Sequence, residues 1–400
     1  MPFRVLMVLD HAYPPDIRVE NEARSLVEAG IEVGLLALAP DRRPPEDLVD
    51  GVRVFRRRVP GRLRNWLRGL SGTLSVPGKL LAREIRSLHQ RWPFDALHLH
   101  DLYLFGGGLE AGRALGVPVI GDLHENWVEA LQHYAWSTSF PGNLAVSIPK
   151  WERLEQEWVT AVDHLVVVVE EAAERNRELG VPADRLVVVP NTVQRASFDA
   201  FSIDAELVNR VRRGAGFTVV YTGGMDIHRG LDNAIRAMAQ VAETRPDAQL
   251  VLVGDGRVRP DLESLAAKLR APVQFEGWQP QESIRSYIEA ADVCLVPHRR
   301  TPHTDATLPH KLFHYMYAAR PVVVTDCRPL DRIVTAEACG LVTPDGDTRA
   351  LADAILAMGS DASVAAAMGA RGRRAVEERW NWEAGVQGLL ALYQRLAATR

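Results

Sequence analysis

The stretch of this 400-residue sequence richest in groups that could handle charge is 301–326, TPHTDATLPHKLFHYMYAARPVVVTD. Pro309 fits the first position of a helix, whose register then brings Lys311, His314 and Tyr315 to one face while Leu308, Leu312, Phe313 and Met316 supply apolar bulk. A helix opening after a loop presents unpaired N–H groups and the positive end of its dipole, so with a lysine one turn inside it suits a diphosphate. An ordinary surface helix with a solvated lysine has the same pattern, and the helix alone favours that plainer account. A second set, Asp122-Leu123-His124-Glu125, crowds a histidine and two carboxylates at one strand end. Such crowding is costly unless a ligand or mutual pairing compensates it. His11, Asp16 and Arg18 follow the first strand and His100-Asp101 a later one. Asp16 also reads as a helix cap, and His100-Asp101 as a pair steadying a loop.

The elements that must position these groups repeat in one order. Residues 3–9 form a buried strand candidate, a Pro-broken loop follows, 16–29 is a helix closed by Gly30, and 31–38 is the next strand. The unit recurs at 96–100 with the Gly106-Gly107-Gly108 turn and at 117–122, with further strands at 165–169 and 186–189. From 192 to 216 the pattern weakens, which predicts a linker. The rhythm restarts at 217–221, a turn bearing Gly223 and Gly224, a helix over 231–244, then strands at 250–253, 273–275, 292–296 and 322–324. Alternation of this kind predicts an α/β protein of two Rossmann-like, doubly wound parallel-sheet domains facing each other across a cleft, with ligands beyond the carboxyl ends of the strands. The expected division is 1–190, a linker at 191–216, 217–379, and a helix over 380–400 returning to the first domain.

Composition bounds the partners. A hydrophobic fraction of 47% supports a substantial core, and a net charge of −4 with no global basicity argues against nucleic acid. Three scattered cysteines suggest neither a disulfide frame nor a zinc site. The apolar start, 1–10, is too short for a signal peptide or membrane span, so a cytoplasmic protein is expected. Asp345-Gly346-Asp347 resembles a metal-binding DxD but sits in a turn before a helix, and the turn reading wins. Gly254-Asp255-Gly256 lacks the remaining spacing of a dinucleotide fingerprint. One region departs from the acidic average. Residues 53–92 carry eleven lysines and arginines, among them Arg56, Arg57, Arg58, Arg62, Arg64, Arg68 and Lys79, against the single acid Glu84, interleaved with Trp66, Leu67, Leu74 and Leu80. This basic amphipathic stretch suits a peripheral contact with the inner face of a membrane or an anionic acceptor, or a plain solvated helical face.

Taken together, HAYPPDIRVENEARSLVEAGIEV, GDLHE, VVVPNTV, YTGGMDIHRGLDNAI, LVLVGDG, VQFEGW and LPHKLFHYMYAARPVVVTD resemble the retaining nucleotide-sugar glycosyltransferases of family 4, which have the GT-B fold. The likeness spans nearly the whole chain. It implies that Arg229 and Lys311 hold the donor diphosphate, with backbone N–H groups at Thr307 and Leu308, and that Gly223 and Gly224 border it. It implies that His314 lies at the donor ribose and Glu276, Gly277 and Trp278 beside the nucleobase. His124 would reach the transferred sugar, while Asp16, Ile17, Arg18, His100, Asp101 and Glu125 would border the sugar or acceptor. Four positions depart from the family's pattern: Ala306 and His314 replace two glutamates, Gly224 replaces an arginine, and Thr192 follows Asn191 where glycine is common. Asp305 stands one residue out of register with the first missing acid.

The expected chemistry is transfer of a sugar from a nucleotide-diphosphate sugar, a UDP-sugar first among them, with retention and with no cofactor or metal. Catalysis would rest on Arg229, Lys311 and His124, since negative charge builds on the departing diphosphate and fixed positive groups are the main requirement. Two other readings share the fold: a nucleotide-sugar epimerase, for which no paired carboxylates are placed, and a non-catalytic docking partner, which the missing glutamates keep open.

Overall fold

Buried apolar runs alternating with amphipathic helices build two parallel sheets in a computed structural model, which describes residues 2–39, 42–72, 74–132, 135–138, 143 and 146–399. The side chains of Arg62 and Trp66, both named in the basic segment, lie outside the described residues. The described residues divide into two compact units, Met1–Pro190 with Val386–Arg400, and Asn191–Gly385.

In the first unit, β1 (Arg4–Leu9), β2 (Glu32–Ala39), β3 (Glu46–Val49), β4 (Val52–Arg58), β5 (Ala96–His100), β6 (Val119–Leu123), β7 (His164–Val167) and β8 (Leu186–Val188) form one sheet in the order β3-β4-β2-β1-β5-β6-β7-β8. Every pairing is parallel except β3 with β4. Central strands read as unbroken apolar runs because helices cover both faces of such a sheet. Four helices matter below: α1 (Ile17–Glu28), α2 (Gly61–Ser71), α3 (Val76–Arg91) and α4 (Phe105–Leu115). Asp16 caps α1, its carboxylate accepting from Val19 N–H at 3.1 Å while Glu20 accepts from Asp16 N–H.

The basic segment is more ordered than its sequence suggests. Its first residues are β4, an internal strand, and Arg56 is buried there, donating to the Tyr13 carbonyl at 3.1 Å and to Asp47 at 3.2 Å. Arg57 pairs with Glu84, Arg68 with Asp10, and Arg91 with Glu46 at 3.0 Å. Acids distant in sequence therefore neutralise part of what looked like free charge.

The second unit holds β9 (Phe217–Thr222), β10 (Ala248–Val253), β11 (Val273–Gly277), β12 (Val293–Val296), β13 (Val322–Thr325) and β14 (Gly340–Thr343), all parallel, in the order β11-β10-β9-β12-β13-β14. Helix α5 (Leu231–Thr244) covers one face through Leu231, Ile235, Met238 and Val241. Helix α6 (His310–Tyr317) begins one residue later than the sequence reading placed it, with Pro309 as its cap. The stretch expected as a linker, 191–216, carries the helices Arg195–Ala200 and Ala205–Arg212 and clusters with this unit. The last helix, α7 (Gln387–Ala398), belongs to the first unit, burying Leu389, Leu392 and Tyr393 there. All three cysteines, Cys294, Cys327 and Cys339, are buried and free.

Candidate active site

In the second unit the strand ends and α6 gather cations with too few acceptors. Lys311 Nζ sits 3.7 Å above the centre of the Tyr221 ring and is buried without a hydrogen-bond partner among the described residues. Burial first, and the Arg229 charge second, hold its ammonium well below the usual lysine range. Arg229 reaches His298 Nε2 with Nη1 at 3.0 Å, and its Nε is likewise buried and unpartnered. Burial, then the Arg229 and Lys311 charges, push His298 far below its ordinary value, so this imidazole is neutral and accepts from Arg229. The N–H groups of Thr307 and Leu308 find no acceptor among the described residues. Lys311 and Arg229 thus lie within electrostatic reach of each other, and two open N–H groups lead into the N-terminus of the helix that carries Lys311, a surplus of donors that suits the space an anion would take.

Glycines shape that space. Gly223 has φ +130°, and a Cβ there would lie 2.6 Å from Lys311 Nζ. A Cβ at Gly224 would make only an ordinary contact, 3.7 Å from Asp226 Oδ2, and the Gly224 carbonyl accepts the Tyr221 hydroxyl at 2.8 Å. One turn on from Lys311 along the same face of α6, the Tyr315 hydroxyl accepts from Thr222 N–H at 2.7 Å and anchors the helix to β9.

The expected ribose and base positions fall out differently. His314 stacks on Phe198 with ring centres 5.3 Å apart, and burial pushes its pKa down to about 4, leaving a neutral donor and acceptor. The Glu276 carboxylate is already engaged by Arg210 at 2.8 Å and by the Tyr287 hydroxyl, so side-chain contact with a base is not what it is set for. Gly277 has φ +69° and Trp278 is 77% exposed beside it. Asp305 is no substitute for the glutamate that Ala306 replaces. Its two oxygens accept from Arg300 Nε at 3.1 Å and Arg328 N–H at 3.0 Å.

The first unit gathers a different set. Arg18 is buried and donates to Asp122 at 3.0 Å, to the Val189 carbonyl at 2.9 Å, and pairs with Glu22 at 2.9 Å. Its guanidinium faces this interior network, while Ile17 beside it is half exposed. Asp122 Oδ2 lies 3.2 Å from both His100 Nδ1 and His124 Nε2, and the two histidine nitrogens are 3.2 Å apart. His124 Nδ1 is 3.8 Å from Asp101 Oδ1. Burial opposes charge on His124, but Asp122 and Asp101 outweigh it and raise its pKa to about 9. Burial also opposes ionisation of Asp122, yet Arg18 and His124 hold its carboxyl well below the usual range. Burial pushes His100 down to about 3 and Glu22 up to about 8. His124 is therefore an imidazolium pinned between two carboxylates, able to donate and unable to act as a base. Glu125 follows it, half-buried in the same bend.

Glu22, His98, His100 and Asp122 bring ligand atoms within 4.8 Å of one another. Arg18 already occupies that shell at 2.9–3.0 Å from both carboxylates and supplies the cation a metal would bring. Sequence reasoning did not single out Glu22, His98, His298 or Tyr221. His98 and His100 alternate in β5 and so share one face, a signal that was present; His298 and Tyr221 are neighbours of Lys311 only through parallel pairing of distant strands.

Comparison with known proteins adds to this geometry. Residues 15–192 match a family described as "Glycosyl transferase 4-like domain", and 216–361 match "Glycosyl transferases group 1". The chain is 26% identical over 294 residues to the 2-deoxystreptamine glucosyltransferase of Streptomyces kanamyceticus, covering 70% of this chain and 74% of that protein. Among solved structures, it resembles a sucrose-phosphate synthase from Thermosynechococcus elongatus with a TM-score of 0.79 at 20% identity, over 100% of both chains. It also resembles the HepE protein of Anabaena, determined in complex with UDP, with a TM-score of 0.71 at 15% identity over 99% of this chain and 100% of that one.

Proposed function

Because this chain belongs to the family 4-like glycosyltransferases of GT-B fold, we propose that it transfers a sugar from a UDP-sugar with retention of anomeric configuration, using Arg229 and Lys311 to carry the departing diphosphate. The observation that carries this reading is the buried, unpartnered Lys311 amino group beside Arg229. A buried ammonium without a counter-charge is costly, and an anion at that place removes the cost. Uridine is the base we start from because the HepE protein, which shares the fold, is described with UDP.

In the proposed reaction the bond between C1 of the sugar and the β-phosphate oxygen lengthens, and the electron pair passes to the phosphate. Arg229, Lys311 and the N–H groups of Thr307 and Leu308 stabilise that growing charge. The acceptor oxygen attacks C1 from the face the diphosphate leaves, and its proton passes to the departing phosphate oxygen. No protein nucleophile is required. His124, cationic and held by Asp122 and Asp101, orients a sugar hydroxyl by donation. His314 as a neutral imidazole takes the ribose position.

A thermal-shift panel of uridine, guanosine, adenosine and thymidine diphosphates tests the reading, followed by product detection with the sugar of the best nucleotide. The expected result is a concentration-dependent stabilisation by uridine diphosphate that Lys311→Met abolishes. A chain that responds to none of the four is not a nucleotide-sugar enzyme.

A further inference from the structure

Helices α2 and α3, with Leu74 between them, leave apolar side chains where a soluble surface does not need them. Leu63, Leu74, Val76 and Leu80 are 51–57% exposed and fall within eighteen residues of one another. Beneath Leu63 and Leu80 lies a cavity of about 320 Å³, walled by Leu38, Leu67, Leu81 and Leu104. That volume reaches the lower end of the range for small-molecule sites, roughly 300 Å³. Four arginines and two carboxylates also line it, an excess of two positive charges: Arg57, Arg58, Arg64 and Arg68 with Asp10 and Glu84. Glu84 is engaged by Arg57, and Asp10 by Arg68. Arg58 is exposed, and Arg64 donates only to the Asp10 carbonyl at 3.1 Å, its Nε buried and without a partner among the described residues. An apolar cavity with cations in surplus fits a molecule that is apolar at one end and anionic at the other.

The inner end of the cavity is also connected to the histidine network. The Tyr103 hydroxyl lies 2.9 Å from Asp10 Oδ1 and 2.8 Å from Asp101 Oδ2, with the Arg68 guanidinium 4.9 Å over its ring. Asp101 in turn faces His124 at 3.8 Å and sits at φ +77°, a conformation that a residue other than glycine holds only when its surroundings enforce it. The polar end of the cavity is therefore separated from His124 by two side chains.

We propose that this cavity is the chain subsite of the acceptor: it takes the alkyl chain of an anionic amphiphile whose charged head is held by Arg58 and Arg64, presenting a hydroxyl toward Tyr103, Asp101 and His124. The proposal rests on the glycosyltransferase reading, since it names the acceptor class. It does not depend on the diphosphate pocket, which belongs to the other unit.

Dodecyl phosphate, titrated calorimetrically below its micelle concentration, is the probe. The expected result is saturable binding of one molecule per chain, weakened at least tenfold by Leu67→Trp, which fills the cavity, and by Arg58→Gln or Leu80→Glu, which lie at the exposed rim and leave the core untouched. Stabilisation by uridine diphosphate should be unchanged in all three variants. Absence of saturable binding, or equal binding by wild type and variants, overturns the proposal. Equal adhesion of wild type and Leu67→Trp to anionic phosphatidylglycerol vesicles, with no discrimination of dodecyl phosphate, overturns it in favour of plain membrane contact. Dodecyl phosphate binding without any nucleotide response leaves the cavity standing and removes the transferase reading instead.

Discussion

Lys311 is the side chain on which the donor reading turns, and its environment makes a proton-linked prediction. Burial and Arg229 depress its pKa in the free protein, and a bound diphosphate restores it. Binding should therefore take up a proton at pH values below the ordinary lysine value of about 10.4 and above the depressed one. Calorimetry of uridine diphosphate binding in two buffers of different ionisation enthalpy should show that uptake, and Lys311→Met should lose it together with about 10²–10³ in turnover, the effect of removing one preorganised donor. The His124 network predicts a pH dependence of stability. His124 has its folded pKa raised to about 9 from about 6.5, so its stabilisation is complete below about 6.5 and disappears as pH rises through 9. Glu22, raised to about 8 by burial, favours the fold while protonated and so also loses stability as pH rises from about 4.3 to 8. The melting temperature should fall between about pH 5 and 9, with Glu22→Gln flattening the lower part of that slope and His124→Gln the upper. An unchanged slope in both variants refutes the assigned charges. Asp122→Asn, which leaves Arg18 buried without its main partner, should cost about 3–5 kcal/mol in denaturant unfolding.

The proposed donor pocket lies at the carboxyl ends of three adjacent strands, and glycine makes their approach feasible. Gly223 N–H donates to the Val253 carbonyl and Gly254 N–H to the Gly277 carbonyl, both at 2.8 Å. Gly254 has φ +136°, and a Cβ there would meet the Gly223 carbonyl oxygen at 2.1 Å, backbone that cannot move aside. Gly254→Ala should destabilise the chain by about 1–3 kcal/mol and weaken nucleotide binding, both readable in one thermal titration. These strands were legible in the sequence because a parallel sheet covered on both faces makes each strand a continuous apolar run, as at Val322, Val323 and Val324. Helices at 17–28 and 231–244 were legible from their period and caps. Three strands were not. β3 is an edge strand with Glu46 and Asp47 exposed, β4 hides its buried Arg56 among other arginines, and β14 is only four residues long. The site was read where chemistry sits next to chemistry, as at Asp122 and His124. It was not read where partners meet by pairing across the sheet, as with His298 and Arg229.

The proposed function gives each unit its own part, so each should answer to its own ligand. Uridine diphosphate should slow amide exchange at Thr307, Leu308, the first turn of α6 and residues 222–230, within Asn191–Gly385, and at one hundred times its dissociation constant should add about 2.7 kcal/mol of stability. Protection confined to the other unit would place the nucleotide wrongly. The C-terminal helix tests the division from the opposite side. Ending the chain after Gly385 removes Leu389, Leu392 and Tyr393 from the first unit, at about 1.5–3 kcal/mol for each buried side chain, and takes the Tyr393 hydroxyl 2.8 Å from His98. Such a truncation should lower the melting of the first unit while the nucleotide response survives. Because α7 follows Asn191–Gly385 in the chain yet packs against β8, translation supplies a wall of the first unit only after the whole second unit has been made. The earlier sheet must therefore keep an uncovered apolar face out of aggregation while the other unit is still being synthesised.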